Sequence, residues 1–89
     1  MIERKVQIVN KLGLHARAAA GFVRTASDFR SKVDIQKDGQ EVDGKSILGV
    51  LMLAASRGTQ LTIRTAGADE QEAMDALTKL VAGRFGERE

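Results

Sequence analysis

The only histidine of the chain, His15, lies in the segment Gly13-Leu14-His15-Ala16-Arg17-Ala18-Ala19-Ala20, between a stretch patterned as a strand and an alanine-rich stretch patterned as a helix. The first N–H groups of a helix lack intrahelical partners and sit at the positive end of its dipole, so an anion held beside His15 meets ready donors. Arg17 adds a planar guanidinium that can grip a phosphate through two hydrogen bonds. A neutral imidazole is a nucleophile. The donors that welcome an anion would then hold the phosphate of a phosphohistidine. No carboxylate occurs between Asn10 and Arg24, so the local sequence offers nothing to polarise the ring as in a hydrolytic triad. One histidine without cysteine does not make a metal site. The pattern points to covalent carriage of a phosphoryl group rather than to hydrolysis.

A second stretch, Gly39-Gln40-Glu41-Val42-Asp43-Gly44-Lys45-Ser46, satisfies the nucleotide-binding pattern G-x-x-x-x-G-K-[ST]. The match is coincidental. Its first glycine belongs to an Asp38-Gly39 turn, Glu41 and Asp43 would put negative charge inside a phosphate nest, and no apolar strand ending in an acidic magnesium ligand accompanies it. A small nucleotide-binding enzyme is thereby disfavoured. Ser46 reads as a helix N-cap. A phosphate on it would also be electrostatically welcome at a helix start. The helix that follows, Ile47-Leu48-Gly49-Val50-Leu51-Met52-Leu53-Ala54-Ala55, is apolar almost all round. Val50 and Leu53 can face a core, but Ile47, Leu48, Leu51 and Met52 cannot all follow them inward, and exposed apolar patches commonly dock partners.

These segments need elements to hold them. Ile2, Val6 and Ile8 at even spacing predict a first strand over about residues 2–9. Ala16, Ala19, Ala20, Val23 and Ala26 recur at helical spacing and predict a helix from Ala16 to about Ser27. Val33 and Ile35 alternate with polar residues, and Asp38-Gly39 supplies the positive-φ pair of a two-residue hairpin leading into Gln40–Val42. The apolar helix starts after Ser46 and stops by Gly58. Leu61 and Ile63 mark a last strand near residues 59–65. Asp69 and Glu72 resemble a capping box ahead of a final helix with Ala73, Leu77, Leu80 and Val81 on its buried side. The order is βαββαβα in one α+β domain, residues 1–89, with helices over one face of a small, mainly antiparallel sheet.

Composition narrows the function classes. Apolar residues make up 43% of the chain and aromatic residues 3%, so the core is mainly aliphatic. Basic and acidic residues, 14 and 12, are interspersed, and with aromatics so scarce no surface for nucleic acid is drawn. No stretch approaches the roughly 18 apolar residues of a membrane span. The absence of cysteine and of a signal-type N-terminus fits a cytoplasmic protein without membrane contact.

On Gly13-Leu14-His15-Ala16-Arg17 and Lys45-Ser46-Ile47-Leu48-Gly49, at their spacing over nearly the whole chain, the sequence resembles the HPr family, the histidine-containing phosphocarriers of the bacterial phosphoenolpyruvate-dependent phosphotransferase system. The resemblance implies an open-faced β-sandwich, a four-stranded antiparallel sheet covered on one face by three helices. It implies that His15 accepts phosphate on Nδ1 from phosphorylated enzyme I and passes it to an enzyme II A-domain, without a cofactor. Arg17 matches the family's phosphate-neutralising arginine, the Ala16 and Arg17 amides match its cradle, and Ser46 matches the serine modified by HPr kinase/phosphorylase. Ile47, Leu48 and Leu51, with Ala20 and Arg24, match its docking surface. Ala18 departs from a proline common at that position and restores one more amide to the phosphate-binding turn. Asn10 to Ala20 is also similar to the nitrogen-regulatory branch of the family, whereas Lys45 to Gly49 is closer to kinase-controlled members. The rival from a different class is a nonenzymatic regulatory module that docks through the second helix with His15 idle.

Overall fold

Along β4 (Gln60–Ala66), Leu61, Ile63 and Thr65 alternate with Gln60, Thr62 and Arg64, and in a computed structural model describing Met1–Glu89 these sets fall on opposite faces of the strand. The buried set is met across the ladders by matching apolar residues. Val6 of β1 (Ile2–Gln7) pairs with Leu61, and Ile35 of β2 (Lys32–Lys37) pairs with Ile63. Strand β3 (Gln40–Asp43) closes the hairpin with β2, and the sheet order is β1-β4-β2-β3, antiparallel throughout. Asp38 and Gly39 make the turn with φ of 49° and 83°, as the two-residue hairpin requires. On the open face Arg64 lies between Glu3 at 3.1 Å and Glu41 at 3.2 Å.

Three helices, α1 (Ala16–Ser27), α2 (Ile47–Met52) and α3 (Glu70–Ala82), cover the other face, completing the βαββαβα order. No helix is long and apolar enough to cross a membrane. Helix α1 is turned from its expected orientation. Its buried residues are Ala18, Ala19, Phe22 and Ala26, while Ala16 is exposed and Ala20 and Val23 are half-buried. Phe22 sets this rotation, because seating one phenyl ring gains more than seating several methyl groups.

Helix α2 is shorter than its apolar run. It ends at Met52 rather than near Gly58, because Ala54 turns left-handed at φ 48° while Leu53 and Ala55 fold into the core. The expected cap of α3 is also different. Asp69 occupies the N-cap position but makes no cap bond. Its carboxylate instead accepts from the Ser31 hydroxyl and from the Arg30 and Ser31 amides, and these bonds hold its pKa down from 3.8 to about 2, against a smaller opposing effect of burial. Glu70 takes over at the helix start by accepting the Gly67 N–H at 3.1 Å. Beside Leu77 and Val81 the buried side of α3 carries Met74, whereas Leu80 is only half-buried.

The nucleotide-binding pattern is taken apart by the fold. Gly39 sits in the hairpin, Gln40–Asp43 is strand, and Asp43 accepts the Lys45 amide at 2.9 Å. Lys45 donates its ammonium to the Phe29 carbonyl at 2.8 Å, away from any nest.

Candidate functional site

The His15 loop is fixed by main-chain contacts before its side chain is considered. Gly13 has φ +66°, and a Cβ there would collide with the Ala55 carbonyl and lie 2.9 Å from Ser56 Cα. Only glycine lets the loop pass so close. The next residue, Leu14, donates its N–H to that same Ala55 carbonyl at 2.8 Å and buries its side chain. The chain then enters α1 with His15 at the N-cap, φ −70° and ψ 177°.

The His15 side chain is its own helix cap. Nδ1 accepts the Arg17 N–H at 3.3 Å. An acceptor carries a lone pair, so in the neutral ring the proton belongs on Nε2. The amides of Ala16 and Ala18 in the same turn have no carbonyl partner, and the turn holds no acidic residue. Arg17 is exposed and lines an open cleft of about 530 Å³ together with His15, Lys11, Leu12 and Arg88. The site thus offers a half-buried imidazole and an exposed guanidinium on one open volume, next to a helix start with two unpaired amides.

Ala18 stands apart from the other residues matched to a phosphate cradle, since it is buried in the core and its amide has no carbonyl partner. Of the residues matched to a docking surface, Arg24, Ile47 and Leu48 are exposed, Ala20 is half-buried, and Leu51 leans inward against the core. Leu48 is 71% exposed and Met52 68%, a large apolar area for so short a helix. Helices α1 and α2 pack against each other, which puts this patch on the same layer as His15. Ser46 caps α2 by accepting the Gly49 N–H at 3.2 Å.

Two site residues had no signal in the local sequence. The neighbourhood of His15 in the sequence holds no carboxylate, and the one that reaches the ring is Glu87, 72 residues away, whose Oε2 accepts from Nε2. The other oxygen of Glu87 accepts from Asn10 Nδ2 at 2.9 Å, and Asn10, fully buried, also donates to the Gly13 carbonyl at 2.8 Å. The Asn10 bond first, and then the His15 bond, lower the Glu87 pKa below the ordinary 4.5 and keep it ionised. No spacing rule connects Asn10 or Glu87 to His15, because the chain segment after α3 must double back to make the contact.

This geometry, an N-cap imidazole whose Nδ1 accepts from the first turn of α1, accompanies a match of residues 2–83 to the family model described as the PTS HPr component phosphorylation site. The chain belongs to the HPr family. It is 55% identical over 89 residues to the phosphocarrier protein HPr of Cupriavidus necator and 54% identical to that of Neisseria meningitidis, each covered in full. Its fold superimposes on a crystal structure of HPr from Thermoanaerobacter tengcongensis with a TM-score of 0.97 at 45% identity, both chains covered completely. HPr of Bacillus anthracis gives 0.87 at 44% identity, over 90% of this chain and 95% of that one. As an HPr, this chain is a phosphocarrier of the phosphotransferase system, with the four-stranded sheet and three helices of that family.

Proposed function

We propose that His15 is the residue that carries the phosphoryl group, on Nδ1, receiving it from phosphorylated enzyme I and handing it to an enzyme II A-domain in the cytoplasm. The observation that carries this assignment is the orientation of the ring: Nδ1 accepts from the Arg17 amide while Nε2 is engaged by Glu87, so the lone pair points at the open helix turn. Nδ1 attacks the donor's phosphorus in line as the donor's P–N bond breaks, and that electron pair returns to the donor nitrogen. The Ala16 and Ala18 amides and the Arg17 guanidinium then take the charge of the transferred group. The apolar patch of Ile47 and Leu48, flanked by Arg24 and Ala20, docks donor and acceptor in turn, with a small area that permits fast exchange.

Ser46 is the site for regulation by an HPr kinase/phosphorylase. Its hydroxyl lies beside the exposed Ile47 and Leu48, so a phosphate there adds charge and bound water to the docking patch without disturbing the core. Likeness to Crh, described as the Bacillus subtilis catabolite repression HPr, at 46% identity and a TM-score of 0.67 over 90% of this chain supports a regulatory side to this surface.

The test is acid-labile, base-stable labelling from phosphoenolpyruvate and enzyme I. His15→Ala abolishes it and leaves the circular-dichroism spectrum unchanged; labelling that persists in the folded variant refutes the assignment.

A further inference from the structure

Helix α3 ends at Ala82, and the chain beyond it does not simply trail away. Arg84, Phe85 and Gly86 have φ of 60°, 54° and 78°, three successive left-handed residues of which two carry side chains. The left-handed conformation is unfavourable for residues with a Cβ, so something must hold the turn. Phe85 packs against the core. Past the turn, the Lys11 amide donates to the main-chain oxygen of Glu89, and the Lys11 ammonium lies 3.3 Å from its carboxylate. The bend delivers Glu87 to Nε2 of His15, where its side chain is only 13% exposed.

We propose that Glu87 is a positioning residue for His15: its carboxylate, anchored by Asn10, holds the ring with the proton on Nε2 and Nδ1 turned to the open start of α1, and offsets the positive charge the ring gains when Nδ1 bonds to phosphorus. The proposal rests on His15 being the phosphoryl carrier. In the transfer step the Nδ1 lone pair forms the new N–P bond and the Nε2 proton stays in place, so the ring becomes a phosphoimidazolium. A fixed negative oxygen on that proton favours the charged ring over the neutral one. Preorganised charge of this kind acts without reorienting anything during the reaction. Asn10 is suited to the anchoring role because its amide donates to both Glu87 and the Gly13 carbonyl, tying the carboxylate to the loop that carries His15.

The experiment compares full-length wild type, Glu87→Ala and Glu87→Gln. Proton–nitrogen NMR of the unphosphorylated proteins follows the imidazole Nε2–H, and enzyme I kinetics give kcat and KM for each protein as phosphoryl acceptor. Wild type should show a downfield Nε2–H resonance protected from solvent exchange, and Glu87→Ala should lose it. In both variants kcat should fall about 10- to 100-fold, the scale seen when a partner that orients a metal-bound histidine is removed, with KM unchanged and the far-UV spectrum retained. Glutamine keeps a carbonyl for Nε2–H but no charge, so a wild-type kcat in Glu87→Gln refutes charge compensation. A wild-type kcat in Glu87→Ala, a surviving resonance, or a loss confined to KM overturns the positioning role. Were His15 not the carrier, His15→Ala would stay labelled while Glu87→Ala still lost the resonance, so the two failures separate.

Discussion

Gly13→Ala should be among the most damaging single-methyl changes in this chain, although Gly13 belongs to neither a strand nor a helix. Two effects add at this position. At φ +66° an alanine pays the left-handed penalty of about 1–2 kcal/mol. Its Cβ would also strike the Ala55 carbonyl and sit 2.9 Å from Ser56 Cα, both main chain, which cannot swing aside as a flexible side chain can. Overpacking of this kind costs about 1–3 kcal/mol. A central total of about 3.5 kcal/mol lowers Tm by about 14–28 °C for a domain of this size. Gly39→Ala is the internal control, because Gly39 has φ +83° with nothing within 4 Å of its Cβ position and should lose only the conformational part. Urea and thermal denaturation give both values. The clash also pushes on the carbonyl that binds the Leu14 amide at 2.8 Å, so phosphorylation by enzyme I should slow beyond what unfolding explains. If Gly13→Ala were no less stable than Gly39→Ala, the close-approach reasoning would be wrong.

Three further outcomes follow from the same structure. The Asp69 carboxyl has a folded pKa of about 2 against an ordinary 3.8, so the stability it contributes is complete above about pH 4 and disappears as pH falls from 3.8 toward 2; Glu70 and Glu87, also lowered, act in the same direction. Urea midpoints measured across that window should fall for wild type and fall less steeply for Asp69→Ala, which starts lower at pH 7; parallel curves would contradict the Ser31 and Arg30 contacts. Ser46→Ala removes the hydroxyl that accepts the Gly49 amide and should cost about 1 kcal/mol, read from chemical denaturation, whereas Ser46→Asp keeps an acceptor and should lose less. Leu48→Asp, at a side chain 71% exposed, should leave Tm within a few degrees yet raise KM with enzyme I by about tenfold, the effect of losing one apolar anchor; an unchanged KM would place the docking surface elsewhere.

The parts legible in the sequence were those whose signal is local. Val33 and Ile35 against Lys32 and Asp34, the Asp38-Gly39 turn and the Ser46 cap each rest on residues within a few positions, where period and turn chemistry act directly. Where tertiary contacts compete with a local rule, the local rule lost. Asp69 stands where a cap belongs, yet its carboxylate serves Ser31 and Arg30 from a segment 38 or more residues away. Counting alanines at helical spacing placed the inner face of α1 one residue off, because Phe22 outweighs them. The loop of His15 and the amides around it were legible for the same local reason, since a helix start announces its free donors. Glu87 was not, because its approach depends on three left-handed residues after α3 that no residue type in Arg84-Phe85-Gly86 demands, glycine apart.

A carboxylate beside the ring proposed to carry the phosphoryl group raises the objection that it would activate water and discharge the carrier. Its position answers this. Hydrolysis in line requires water to approach phosphorus from the side opposite the P–Nδ1 bond, outward from the ring. Glu87 sits at Nε2, on the other side of the imidazole, with both oxygens occupied by His15 and Asn10. It can therefore bear on the charge of the ring but not on a proton of the attacking water. The other residues around the cleft, Lys11, Leu12, Arg17, Gly86 and Arg88, include no neutral base, and Glu89 is engaged with Lys11. The same argument separates this arrangement from a hydrolytic triad, in which the histidine passes a proton to and from a hydroxyl or thiol nucleophile. None of the residues lining the cleft carries a hydroxyl or a thiol. With the Nε2 proton held and no second nucleophile in reach, the proposed assignment leaves Nδ1 to react with phosphorus itself, which would make a carrier out of parts that elsewhere make a hydrolase.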